Sequence, residues 1–161
     1  MTRGGTTASN TTSDASTKSG KIVVKRTIPA TVDELFEAWL DPNSLAQWMR
    51  PGAIADSSVK VDARVGGAFE VIMHFDSGPR RHYGTYLAIE RNRKLVFTWH
   101  SDATRHAQTL VTVEFNVRDQ GTEVVVIHER MPDHEVGLQH INGWNRALAL
   151  LGQHATKGIS T

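Results

Sequence analysis

Histidine is the residue type with the widest chemical scope in this sequence, which contains eight of them: His74, His82, His100, His106, His128, His134, His140 and His154. An imidazole can bind a metal, orient a ligand or transfer a proton near neutral pH. Zinc needs three or four ligands at a recognisable local spacing. Neither His-x-x-x-His nor His-Glu-x-x-His occurs, and His134 and His140 fall on different faces of a helix. We therefore predict no metal site and no cofactor.

Two histidines occupy positions from which they could reach a protein interior. His128 shares strand parity with Val124 and Val126, and His140 borders an apolar helical stripe. Either imidazole could orient a ligand or act as a general acid or base. Alternatively, each is a structural histidine bonded to a carbonyl group, or is exposed at a strand end. If the protein is an enzyme, His128, His140 and His74 are the candidate catalytic residues.

Other catalytic patterns are missing from the sequence. It has no cysteine, which excludes a thiol nucleophile and a disulfide, and no Gly-x-Ser-x-Gly elbow. The carboxylates mostly alternate with apolar residues, as on a solvated sheet face. The sequence thus favours a protein without catalytic activity but leaves an enzyme open.

The charge pattern argues against two classes of partner. The formal net charge is +1, and the basic clusters Arg80-Arg81-His82 and Arg91 to Lys94 follow turn signals. Neither cluster has aromatic residues on which bases could stack. We interpret both as solvated hairpin ends and predict no nucleic-acid or membrane partner.

Strong local signals define the elements that must position these residues. The run KIVVKRTI alternates as a strand and ends at Pro29. Thr31 and Glu34 form a capping-box pattern that opens a helix, and Asp41-Pro42 is typical of the start of a second, short helix.

Strand patterns then extend from about Val59 to Met131. Short connections favour antiparallel neighbours. FEVIMHF and KLVFTWH each place alternate apolar residues on one face, whereas Tyr86 and Leu87 indicate a bulge, so the faces of that strand stay unassigned.

A long helix closes the chain. Its apolar residues recur at steps of three and four and form one face: Gly137, Ile141, Trp144, Leu148 and Leu151. Gly143 is an unfavourable residue in a helix interior, and a helix accepts it more readily where something must approach the backbone closely. We predict an α+β helix-grip fold, in which a curved antiparallel sheet wraps around this helix and two short helices follow the first strand.

The chain is predicted to hold one folded domain, residues 21–157. Residues 1–20 are rich in Ser, Thr and Gly and are predicted to form a disordered tail. With no secretory signal and no cysteine, we expect a cytoplasmic protein.

Gly66 and Gly67 interrupt a strand-like run, VDARVGGAFEVIMHF, whose apolar parity is the same on both sides. We expect them to provide positive φ and close backbone packing at a sharp turn. A phosphate-binding loop is the alternative, but the pair precedes a strand and not a helix.

Four segments, in order, resemble one known family. VDARVGGAFE, TIPATVDELFEAWLDPNSLAQWMRPG, YGTYLAIERNRKLVFTW and HINGWNRALALL are similar to segments of the homologues of the activator of the heat-shock-protein-90 ATPase, an AHSA-like family within the START-like (SRPBCC) superfamily. The resemblance covers about Lys21 to Ala155.

This resemblance implies a cavity between the sheet and the last helix that holds a small apolar molecule. On the predicted faces the cavity residues would be Trp48, Phe69, Met73, Trp99, Phe115, His128, His140, Ile141, Trp144 and Leu148.

Three functions remain open on this basis. The first is a module that binds a small hydrophobic ligand, and the second is a START-like cyclase, dehydratase or hydrolase that uses cavity histidines. The third is a co-chaperone-like interaction module, a function that one predicted domain favours less than the other two. An edge strand or the aromatic-rich paired helices could support a homodimer.

Overall fold

Antiparallel pairing joins all the strands in the computed structural model, which describes residues 13–18, 20–51 and 57–156. The elements are β1 (Ser13–Lys18), β2 (Lys21–Ile28), α1 (Val32–Leu40), α2 (Pro42–Trp48), β3 (Ser57–Val61), β4 (Ala68–Phe75), β5 (Gly78–Glu90), β6 (Lys94–Ser101), a 3-10 turn (Asp102–Thr104), β7 (Thr109–Arg118), β8 (Gly121–Glu129) and α3 (His134–Thr156).

The eight strands form one curved sheet in the order β1-β2-β8-β7-β6-β5-β4-β3. The pair α1–α2 connects β2 to β3, at the far edge of the sheet, and α3 packs against β2, α2 and α1. A curved sheet holding a long C-terminal helix is the helix-grip arrangement, so the predicted fold is confirmed.

The helix boundaries follow from local side-chain chemistry. The Thr31 and Glu34 side chains form the predicted capping box at the start of α1, and the Asp41 carboxylate accepts from the Ser44 N–H at the start of α2. The Asp133 carboxylate likewise accepts from the Val136 N–H at 2.9 Å in α3. Each side chain satisfies a backbone donor that the first helical turn leaves unpaired.

Alternation along the strands places one set of side chains on the concave face beneath α3. On β8, Val124, Val126 and His128 are fully buried. The register continues this face across the sheet, since Val111 pairs with His128 and Val71 pairs with His82. A two-residue period therefore decides which histidines can lie under the helix.

The adjacent glycines serve the backbone, as predicted. Gly66 has φ of 87°, and a Cβ on Gly67 would lie 2.1 Å from the Asp62 carbonyl oxygen. The Gly66 N–H donates to the Tyr86 carbonyl and the Tyr86 N–H donates to the Gly67 carbonyl. The β5–β6 register shifts between Tyr86 and Ala88, which confirms the predicted bulge.

The N-terminal segment differs in part from the predicted disordered tail. Ser13–Lys18 forms β1, whose backbone pairs antiparallel with β2 from Ser13 opposite Arg26 to Lys18 opposite Lys21. Backbone hydrogen bonding to an open strand edge needs no apolar side chains, so composition alone did not indicate it. The remainder of the predicted tail, residues 1–12 and 19, lies outside the described residues.

Candidate ligand cavity

A cavity of about 260 Å³ lies between the sheet and α3, at the end of the sheet near the β4–β5 turn. The ends of β4, β5 and β6 form one side, the end of α2 forms another, and α3 covers it. Its walls are Met49, Arg50, Met73, Phe75, Arg80, His82, Trp99, Ser101, Asp102, Ala103, Gln139, His140, Gly143, Trp144, Arg146 and Ala147.

The inner walls are apolar and aromatic. The rings of Trp99 and Trp144 lie 5.3 Å apart between centroids, and both residues are 4% exposed. Met49 and Met73 complete the apolar lining. Rigid indoles and adaptable thioethers are side chains suited to holding a small apolar body.

The opening of the cavity is polar and mostly basic. Arg80, Asp102, Gln139 and Arg146 are exposed residues of its wall. The Arg80 guanidinium lies over the Phe75 ring, 4.5 Å from its centroid, and the Asp102 carboxylate is 2.8 Å from His106 Nε2. The side of the cavity that faces solvent therefore carries more positive than negative charge.

Two neutral histidines line the cavity between its apolar floor and this opening. The His140 Nδ1–H donates to the Val136 carbonyl at 2.8 Å, and the His82 Nδ1–H donates to the Val71 carbonyl at 3.3 Å. Burial lowers the pKa of His82 to about 4, although its carbonyl contact opposes the shift, and burial also lowers the pKa of His140. Each ring therefore keeps an Nε2 lone pair.

His128 is fully buried behind the cavity wall, with both ring nitrogens bonded. The Trp144 Nε1–H donates to His128 Nδ1 at 3.1 Å. The Thr109 hydroxyl donates to the Trp99 carbonyl at 2.6 Å, so it accepts from the His128 Nε2–H at 2.7 Å. Burial, together with the charge that His140 would carry, lowers the pKa of His128 well below its usual value. His128 thus fixes the orientation of Trp144 from behind.

The structure brings together only part of the predicted cavity set. Met73, Trp99, His140 and Trp144 line the cavity. The other members lie outside the cavity wall: Trp48, Phe69, Phe115, His128 and Leu148 are buried, and Ile141 is partly buried against the core.

Packing explains why these residues are displaced. The Trp48 indole N–H donates to the Ala38 carbonyl at 3.0 Å, and Phe115 packs edge-on against Phe36. Phe69 lines a separate void of about 10 Å³, and Leu148 is fully buried in the core. His74 is exposed and contacts the Ser58 hydroxyl at 3.2 Å, so the prediction that it could point inward was wrong.

His82 and the arginines of the opening were not among the predicted cavity residues. Arg80 is exposed at the hairpin end, as predicted, but it also belongs to the cavity wall. His82 is half-buried in that wall, whereas Arg81 between them is exposed and pairs with Glu70. The signal was available: positions 80, 82, 84 and 86 share parity on the N-terminal side of the bulge. The signal was not used because the faces of β5 had been left unassigned.

Gly143 lines the cavity, where a Cβ would meet no atom within 4 Å. We expect Gly143→Ala to raise the free energy of unfolding by about 0.5–1 kcal/mol, because alanine favours the helix and the added methyl has room. Chemical denaturation followed by circular dichroism measures this change.

Gly152→Ala is the matched control for Gly143→Ala. It lies on the same helix, away from the cavity, and its Cβ would meet only Ile28 Cγ1 at 3.9 Å. Both variants should gain similar stability. If Gly143→Ala lost stability while Gly152→Ala gained it, the space beside Gly143 would not be open.

Two kinds of feature are absent from the described part of the chain. Residues 13–18, 20–51 and 57–156 contain no group of three or more potential side-chain ligands that could hold a metal ion. Within the same residues, no helix combines the length and apolarity required to cross a bilayer.

The fold is that of the START-like (SRPBCC) superfamily of helix-grip domains, whose architecture is of the ligand-binding type in general. The family model described as "Activator of Hsp90 ATPase homolog 1-like protein" matches residues 29–156, and the chain belongs to that family. The predicted family resemblance is therefore confirmed.

Solved structures show the same fold. Protein CV1439 from Chromobacterium violaceum is 26% identical with a TM-score of 0.76, covering 84% of this chain and 96% of that one. Protein Ms6760 from Mycobacterium smegmatis is 17% identical with a TM-score of 0.77, at 89% and 96% coverage. The AHSA1-like protein from Aeromonas hydrophila is 23% identical with a TM-score of 0.71, at 87% and 94% coverage. No curated protein matches the sequence significantly.

Proposed function

We propose that this protein binds a small, mainly apolar molecule in the cavity between the sheet and α3. The observation that carries the proposal is a space of about 260 Å³ whose inner walls are Trp99, Trp144, Met49 and Met73. Small-molecule sites are typically concave spaces with mainly apolar and aromatic walls and a few polar groups, which is the character of this space.

The size of the cavity limits the size of the ligand. An apolar cavity of about 150 Å³ accepts benzene. A space of about 260 Å³ therefore suits a compound of about two fused rings, or a short chain that extends through the opening.

Binding is expected to raise the melting temperature. At a ligand concentration of about a hundred times its dissociation constant, the stabilisation is about 2.7 kcal/mol, or roughly 5–10 °C for a domain of this size. Differential scanning fluorimetry should test naphthalene and indole derivatives, fatty acids and larger sterols, with native mass spectrometry of the purified protein.

Gly143→Leu is the variant that tests the location of the site. The added side chain would project from the helix into the cavity, so it should remove the ligand-induced shift, whereas Gly152→Ala should keep it. A flat response across the panel with no co-purified molecule would reject this function.

A second candidate, a START-like enzyme, is favoured by one observation. His82 and His140 line the same cavity with neutral rings and Nε2 lone pairs, so either could accept a proton from a bound molecule. Once a ligand is found, product analysis with the wild type and the His82→Gln and His140→Gln variants separates the candidates. Retained binding with no turnover would reject the enzyme.

A further inference from the structure

Most arginines elsewhere in the described chain are neutralised by carboxylates, with Arg26 and Arg130 as exceptions, whereas neither Arg80 nor Arg146 at the cavity opening is. Six arginines elsewhere in the described chain form salt bridges with carboxylates: Arg64, Arg81, Arg91, Arg93, Arg105 and Arg118. At the opening, neither Arg80 nor Arg146 lies within 4 Å of a carboxylate of the described residues.

These two guanidinium groups belong to facing walls of the same space. Arg80 comes from β5 in the sheet and Arg146 comes from α3 above it. The wall contains a single carboxylate, that of Asp102, which is already 2.8 Å from His106. The opening therefore carries two positive charges, on facing walls of an apolar cavity, against the one negative charge of Asp102.

We propose that the ligand of this cavity is an amphipathic carboxylate, whose aromatic or short aliphatic body lies against Trp99 and Trp144 while its carboxylate lies between Arg80 and Arg146. The planar guanidinium fork pairs with a carboxylate through two parallel hydrogen bonds, and pairing at the edge of an apolar cavity excludes part of the competing water. This inference rests on the proposed function and specifies the chemical class of its ligand.

Two probes of similar size test the charge requirement. 2-Naphthoate and 2-naphthylmethanol share the fused ring body that fits the cavity and differ in whether the polar group is an anion. Isothermal titration should give a dissociation constant at least about tenfold lower for the acid, a difference typical of a charge-assisted hydrogen bond. Raising the salt concentration from about 0.02 M to about 0.5 M should weaken binding of the acid but not of the alcohol.

Substitutions at the opening locate the effect. Arg80→Gln and Arg146→Gln should each raise the dissociation constant of the acid about fivefold and leave that of the alcohol unchanged. The preference for the acid should therefore fall about fivefold in each variant. Arg146→Lys should recover part of it, since it keeps the charge but not the fork. Arg64→Gln is the control, because Arg64 is exposed on the β3–β4 connection and pairs with Asp62.

The outcomes separate this inference from the proposed function. Equal affinity for acid and alcohol, or equal weakening of both probes by Arg80→Gln and Arg146→Gln, would overturn the carboxylate assignment and leave apolar binding intact. If neither these probes nor the apolar panel binds, both proposals are rejected.

Discussion

Replacing His128 with alanine is expected to lower the free energy of unfolding by about 3–4 kcal/mol. The substitution removes a fully buried ring and leaves a space between β8 and α3. It also leaves the buried Trp144 indole N–H without an acceptor and removes the donor to the Thr109 hydroxyl. Urea denaturation followed by tryptophan fluorescence and circular dichroism measures the loss.

Two further variants separate the hydrogen bonds from the general effect of losing a histidine. His74→Ala, at an exposed histidine, should change stability by no more than about 0.5 kcal/mol. Trp144→Phe removes the indole donor, so in a double-mutant cycle with His128→Ala the two losses should not add. Additive losses would show that the contact between Trp144 and His128 contributes no interaction energy.

Acidification from pH 7 to pH 5 is expected to destabilise the protein steeply. Burial lowers the folded-state pKa of His82 to about 4 and shifts the pKa values of His128 and His140 in the same direction. Below the unfolded value of about 6.5, the unfolded chain binds protons that the folded chain does not, so stability falls as the pH falls. The free energy of unfolding does not depend on His82 protonation above about pH 6.5. It falls as the pH is lowered from about 6.5 to about 4, where the folded chain begins to bind the proton as well.

The expected size of this effect follows from linkage. Each histidine that stays neutral in the folded state contributes a slope of up to about 1.4 kcal/mol per pH unit in its window. His82 alone therefore accounts for a loss of about 2 kcal/mol between pH 7 and pH 5.

A series of urea denaturation curves between about pH 7.5 and pH 4.5 tests the dependence. His82→Gln should reduce the slope of the free energy of unfolding against pH by up to about 1.4 kcal/mol per pH unit, the value for one proton. His74→Gln, at an exposed position, should leave the slope unchanged. A stability that stays constant from pH 7 to pH 5 would contradict the assignment of neutral buried histidines.

Much of the fold was predictable because its signals are local. Thr31, Asp41 and Asp133 begin helices through hydrogen bonds that span only three residues, and strand parity assigned His128 to the concave face. The role of the turn glycines was also predictable, since Gly66 has a positive φ, which other residues rarely adopt.

The cavity was less predictable because periodicity reports a direction and not a position along the sheet. Trp48 and Phe115 lie on the correct faces, but their contacts with Ala38 and Phe36 place them in filled core. Which part of the concave face stays open depends on where α2 ends and how α3 lies across the strands. These properties depend on tertiary packing and cannot be predicted from the pattern of a single sequence.

The histidines show the same limit at the level of one residue. From the sequence, His128 could be either a ligand-binding residue or a structural residue with its hydrogen bonds satisfied. Both of its ring nitrogens are bonded, to Thr109 and Trp144, so His128 is a structural residue. These partners come from a neighbouring strand and from the helix. His82 was missed because the register shift after Tyr86 disrupts the alternation that would have placed it on the concave face.

The helix α3 divides its residues between two tasks along its length. Residues 139–147 supply six members of the cavity wall, of which Trp144 and Ala147 are also part of the buried core, whereas Leu148, Leu150 and Leu151 are buried in the core alone. Because folded proteins have small stability margins, mutations that spare the core are the ones most readily retained during evolution. The exposed wall residues Gln139 and Arg146 can therefore change while Trp144 and the leucines hold the fold, so the chemistry of the space that we assign to a ligand can be altered by a few substitutions on one side of a single helix.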